Sequence, residues 1–166
     1  QRYAGKKLIL VSLQAFPEHY KSFVTEVMQQ SEDDWLWILK EHPRYPLTPE
    51  QLKEEFGDLV TSGKVVLERD FSIYEMLTLL PIKVHLTAYS TVAFECEYYG
   101  VPTIFFHENG IDGNSALINS ANHLFAALDA DTLLKCVKNA LEITRIQPIY
   151  MAQEITVVDE LLKDVA

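Results

Sequence analysis

A three-layer α/β fold, with a parallel sheet of about five to six strands and helices on both faces, is predicted by two features of this chain. Short apolar runs rich in β formers alternate almost throughout with segments of helical spacing, the pattern of right-handed strand–helix–strand crossovers. One run, WLWIL at 35–39, is apolar at consecutive positions, as expected of a strand covered on both faces. With 166 residues, 48% of them hydrophobic, and few Gly and Pro, the chain has enough interior for one full core.

The first strand is 7–13 (KLILVSL). Residues 17–30 have helical spacing: Tyr20, Phe23, Val24 and Val27 share a face, and Pro17 suits a first turn. The second strand is 35–39. Thr48, Pro49 and Gln51 form a strong helix start, a cap followed by Pro and then Gln at capping-box spacing. That helix runs to about Thr61 and ends at Gly63. Residues 64–67 (KVVL) form a short strand, and 72–80 a short helix stopped by Pro81. Residues 83–110 then read as a strand, a hydroxyl-bearing turn, an amphipathic helix, a Gly stop and another apolar strand. Asn109 and Gly110 read as a turn. The polar stretch 112–115 leads into a helix to about Asn122, and 124–128 is a small edge strand. Asp131 is expected to cap a helix to about Arg145. Residues 146–151 read as a connector and 153–165 as a last amphipathic helix.

Composition excludes several function classes. A net charge of −10 argues against a nucleic-acid or anionic-membrane surface, which needs a basic patch. No apolar run is long enough to span a bilayer, so no transmembrane segment is expected. Cys96 and Cys136 fall at apolar positions of predicted helices, which suits buried thiols in a reducing, cytoplasmic compartment. The chain starts at Gln1 without Met, which suggests a domain cut from a longer protein. There is no P-loop, no Gly-rich dinucleotide fingerprint and no Gly-x-Ser-x-Gly elbow.

In an open parallel sheet, ligands sit outside the carboxyl ends of the strands at a topological switch point. Attention therefore falls on the residues after each strand: Ser12 and Gln14; His42 to Arg44; Glu68 to Asp70; Tyr89, Ser90 and Thr91; and His107 to Asn109. Ser90 and Thr91 open a helix, and Glu95 lies one turn after Thr91 on the same side. Hydroxyls and helix-start N–H groups suit phosphates, and a carboxylate, Glu95 or Glu75, suits ribose hydroxyls. Lys40 and His42 alternate onto one face of an extended chain. Together they would neutralise a leaving phosphate, and His42 would donate a proton to it, with Pro43 stiffening the turn. The plainer alternative is a strand-terminal His bonding a nearby carbonyl. Val92, Cys96 and Tyr99 are expected to form the buried stripe of the helix, leaving Glu97 solvated. Glu68 and Asp70 read as loop residues, and His85 and His123 as structural. His107, Glu108 and Asp112 match no metal-ligand spacing, so no metal and no cofactor are expected.

His42-Pro43, then Tyr89, Ser90, Thr91 and Glu95, then Gly100-Val101-Pro102, resemble the C-terminal, donor-binding half of a two-domain GT-B glycosyltransferase with a Rossmann-like fold. The resemblance covers roughly residues 6–145. The His-Pro dipeptide with a hydroxyl pair is similar to bacterial sialyltransferases, polysialyltransferases and capsule or teichoic-acid polymerases, which use cytidine-activated donors. The resemblance implies that His42 and the hydroxyls of Ser90 and Thr91 contact donor phosphates, and that Glu75 or Glu95 takes the ribose. It also implies a missing N-terminal acceptor-binding domain, so this chain alone would bind a nucleotide sugar and transfer nothing. Half of a sugar-nucleotide epimerase and a non-catalytic interaction module of the same fold are the alternatives.

Overall fold

A computed structural model describes residues 3–14, 22–146 and 149. Pro17, Tyr20 and the helix expected over 153–165 lie outside the described residues. Six parallel strands form one sheet in the order β3-β2-β1-β4-β5-β6. They are β1 (Lys7–Ser12), β2 (Trp35–Lys40), β3 (Val65–Glu68), β4 (Ile82–Thr87), β5 (Thr103–Phe105) and β6 (Leu124–Ala126). The helices are α1 (Ser22–Gln30), α2 (Pro49–Thr61), α3 (Ile73–Leu79), α4 (Val92–Tyr98), α5 (Glu108–Gly113), α6 (Ser115–Ile118) and α7 (Ala130–Leu141). This is the predicted Rossmann-like α/β architecture. Chain order reverses between β1 and β4, which makes their carboxyl ends the switch point.

Alternation along β1 sorts the two cores. Ile9 and Val11 pack with α1, α2 and α7 through Val27, Phe56 and Val137, while Leu8 and Leu10 pack with α3 and α4 through Met76 and Cys96. All five residues of the WLWIL run are buried, because β2 is covered by helices on both sides.

Local signals define the helix starts. Thr48 and Gln51 form a reciprocal capping box on α2, and Ser72 and Glu75 form another on α3. Each satisfies two N–H groups that the helix leaves orphaned. The cap of α7 is Asp129, which accepts from Thr132 N at 2.8 Å, two residues before the expected Asp131. Gly63 and Gly100 both take positive φ, the left-handed conformation that ends α2 and α4 without a Cβ penalty.

Two expectations fail through packing. Asn109 and Gly110 lie in the first turn of α5 rather than in a turn, since Gly110 is needed for close approach to Ala88, not for turn geometry. Glu97 is buried, not solvated, and accepts from His123 Nε2 at 2.9 Å and Ile149 N at 2.7 Å. The buried face of α4 is Ala93, Cys96 and Glu97, at i, i+3 and i+4, whereas Tyr99 is exposed. The stripe is rotated relative to the expected one because a buried imidazole awaits the carboxylate.

Candidate functional site at the switch point

The carboxyl ends of β1, β2 and β4 meet the start of α3 around a cavity of about 440 Å³. Ser12, Lys40, His42, Pro43 and Ser90, all singled out in the sequence, line it. Gln14, Glu75, Thr91 and Glu95 are not among its lining residues.

The loop after β2 presents His42 by a set of bonds that sequence reading did not find. Glu41 Oε1 accepts from Leu47 N at 2.9 Å, and both Glu41 oxygens accept from Arg69 at 2.9 Å. Arg69 also donates to Leu47 O at 3.3 Å. The Arg69 guanidinium holds the Glu41 carboxyl below its ordinary range, and Glu41 in turn raises Arg69. This latch closes residues 41–47 over one side of the cavity. Within it, His42 Nδ1 accepts from Arg44 N at 3.2 Å. In the neutral ring that bond puts the proton on Nε2, the nitrogen left to donate. Tyr45 packs on the ring with centroids 5.1 Å apart.

Lys40 lines the cavity, but its ammonium is also anchored. It donates to Phe71 O at 2.5 Å and Glu68 O at 3.4 Å. Glu68 is buried, and its carboxylate accepts from Asp70 N, Phe71 N and Tyr3 OH. Lys40 and Glu68 therefore shape the β3–α3 loop, which brings Arg69, Ser72 and Tyr74 to the cavity. A lysine has three N–H donors, so its charge and one donor still serve a ligand. The half-exposed ring of Tyr74 adds a flat face suited to a base.

At the start of α4 the roles of the two hydroxyls separate. Ser90 Oγ accepts from Val92 N at 3.3 Å, and Ser90 N donates to Thr87 Oγ1 at 3.0 Å. Thr91 is exposed and makes no side-chain cap bond. Gln14 is buried, with Nε2 at 3.5 Å from Thr87 Oγ1, so it supports the site from beneath. Glu75 is engaged in the α3 capping box, whose Ser72 groups lower its pKa. Glu95 Oε2 is buried with no hydrogen-bond partner among the described residues. An orphaned buried carboxylate oxygen is costly, and Glu95 lies away from the cavity lining. Among the described residues no three His, Cys, Asp or Glu side chains are grouped to hold a metal. No helix of the described residues is long and apolar enough to cross a membrane.

Beneath the cavity, His85 is fully buried on β4, and desolvation pushes its pKa down to about 3. An unfolded histidine titrates near 6.5, so below that pH the unfolded chain binds the proton first. The stability contributed by neutral His85 is complete above about pH 6.5 and is lost as pH falls toward 3, at roughly 1.4 kcal/mol per unit. Urea denaturation is expected to show a His85 contribution of about 2 kcal/mol lost between pH 7 and 5. The stability difference between the wild-type chain and His85→Leu isolates it, and an equal acid slope in both would contradict it.

No family model and no curated protein matches the chain. Solved structures of like fold do. The UDP-GlcNAc 2-epimerase of Methanocaldococcus jannaschii, in complex with UDP-GlcNAc and UDP, aligns with TM-score 0.62 and 20% identity over 86% of this chain and 41% of that one. HepE of Anabaena, in complex with UDP and glucose, aligns with TM-score 0.64 and 14% identity over 86% of this chain and 40% of that one. The UDP-GlcNAc 2-epimerase of Neisseria meningitidis, bound to UDP-GlcNAc, aligns with TM-score 0.58 and 12% identity over 95% of this chain and 45% of that one. At these identities the likeness is one of fold, and this chain spans less than half the length of each.

Proposed function

We propose that the switch-point cavity binds the diphosphate of a uridine-nucleotide sugar, and that the chain is the nucleotide-sugar half of a two-domain enzyme that breaks the sugar–diphosphate bond. The observation that carries this reading is the convergence of Ser12, Lys40, His42 and Ser90 from three strand ends on one cavity. Together they supply a cation, an imidazole donor and two hydroxyls, a set suited to phosphate oxygens. As the sugar C1–O bond breaks, negative charge grows on the leaving diphosphate. The Nε2–H of His42 and the charge of Lys40 stabilise that charge, and they need no metal to do so. Tyr74, which lines the cavity, stacks on the base. The other face of the sugar is open to a second domain, which would supply the acceptor or the proton-transfer groups, so the isolated chain binds without turnover.

The solved structures of like fold hold UDP, UDP-GlcNAc or UDP with glucose, which favours a uridine ligand over a cytidine one. Two of these three are UDP-GlcNAc 2-epimerases, so sugar-nucleotide epimerisation is a better-supported reaction for the whole protein than transfer from a CMP-linked donor. Thermal or urea unfolding with UDP, CMP, CDP and GDP tests the reading. A ligand at about a hundred times its Kd adds about 2.7 kcal/mol. UDP is expected to stabilise the chain most, and the combined His42→Ala and Ser90→Ala variant is expected to lose the effect. No shift with any nucleotide would refute nucleotide binding, and a shift that survives both substitutions would place the site elsewhere.

A further inference from the structure

A file of uncharged polar side chains runs along the sheet face beneath α4 and ends at the cavity. Thr103 on β5 and His85 on β4 are register partners, with His85 Nδ1 at 3.0 Å from Thr103 Oγ1. On the other side His85 Nε2 lies 2.9 Å from Ser12 Oγ at the end of β1. His85 and Thr103 are fully buried, while Ser12 is nearly so and lines the cavity. Three groups therefore share two hydrogen bonds and carry three protons, one each on Thr103, neutral His85 and Ser12.

Only two orderings of those protons are consistent. In the inward ordering Ser12 donates to Nε2 and Nδ1–H donates to Thr103. The Thr103 proton then has no acceptor, since its hydroxyl has no other partner among the described residues. In the outward ordering Thr103 donates to Nδ1, Nε2–H donates to Ser12, and the Ser12 proton faces the cavity. A buried donor without a partner costs about 1–3 kcal/mol, which selects the outward ordering. We propose that His85 is a positioning residue that, from inside the sheet, fixes Ser12 as a hydrogen-bond donor to a ligand phosphate. The proposal rests on the nucleotide-diphosphate reading of the cavity. The burial that keeps His85 neutral also keeps it a one-donor, one-acceptor link.

Calorimetric titration of the whole chain with UDP, beside ligand-observed NMR with uridine, tests this. Uridine carries the base and ribose without phosphates. Ser12→Ala and His85→Leu are each expected to weaken UDP about tenfold, the loss of one hydrogen bond to a charged group, with uridine unchanged. The double variant should be no weaker than Ser12→Ala alone, and His85→Gln, which keeps a donor toward Ser12, should recover part of the loss. Undiminished UDP affinity in folded His85→Leu overturns the proposal, as does equal weakening of uridine, which would mark general damage. If the wild-type chain binds no UDP, the nucleotide reading fails and takes this proposal with it, an outcome distinct from wild-type binding that ignores His85. Should His85→Leu not fold, the tautomer of the wild-type ring decides by two-bond ¹H–¹⁵N NMR: Nε2–H supports the proposal and Nδ1–H overturns it.

Discussion

Glu97→Leu is expected to destabilise the chain by about 3–5 kcal/mol. The Glu97 and His123 side chains are fully buried and hydrogen-bonded at 2.9 Å, and the second Glu97 oxygen accepts from Ile149 N at 2.7 Å. Removing the carboxyl group strands a fully buried ring N–H, which costs about 1–3 kcal/mol, and leaves the partly buried Ile149 N–H without its acceptor. The added apolar volume of Leu does not compensate, because the imidazole beside it stays polar. Combining Glu97→Leu with His123→Leu removes the stranded ring as well, so the double variant should be less destabilised than the sum of the single ones. Urea denaturation of the four proteins measures this. A Glu97→Leu chain within about 1 kcal/mol of wild type would show that water or a neighbour replaces the carboxylate. Hydrogen exchange at Ile149 gives an independent reading and should speed up in Glu97→Leu.

The second large effect is expected at Gly110. Two tendencies oppose each other there. Alanine in a helix is favoured over glycine by about 1 kcal/mol, and Gly110 lies in α5. Against that, a Cβ at this position would fall inside the van der Waals radius of the Ala88 carbonyl oxygen and crowd the Phe105 ring. Backbone cannot rotate aside as a side chain can; overpacking typically costs about 1–3 kcal/mol and occasionally more, and a clash this close with backbone falls at the upper end. The clash wins, and Gly110→Ala should be clearly less stable by urea or thermal unfolding. Ala88 directly follows β4 and precedes Tyr89 and Ser90, so any relief of the clash would shift the cavity wall. The surviving folded fraction should therefore also bind UDP more weakly. Stability equal to wild type would mean that α5 can move away without loss.

The architecture was readable because its signals are local. The run from Trp35 to Leu39, the capping box at Thr48, and the Gly stops at 63 and 100 each act within a few residues. The cavity was readable in part for a different reason. In a parallel sheet the residues after each strand must collect at one edge, so Ser12, Lys40, His42, Pro43 and Ser90 could be named before their distances were known. What escaped were side chains whose partners are far away in sequence. Glu41 and Arg69, 28 positions apart, set the His42 loop. Arg69 sits between Glu68 and Asp70, both considered, yet only the fold shows that it turns back to Glu41. Lys40 looked like a cation aimed at the ligand, but two loop carbonyls also hold it.

Periodicity and capping, read along the chain, were enough to establish a doubly covered parallel sheet and the strand ends that border the cavity, because backbone hydrogen bonding and burial repeat with fixed spacing. They could not say which polar side chains lie inside. Lys83, His85 and Thr87 alternate with Val84 and Leu86 as on a half-solvated strand, yet only Lys83 is exposed. His85 and Thr87 are buried because Ser12, Thr103, Gln14 and Ser90 on other elements satisfy them. Glu97 is buried for the same reason, through His123. Burial of a polar group depends on a partner, and for these residues the partner is supplied only by the assembled sheet.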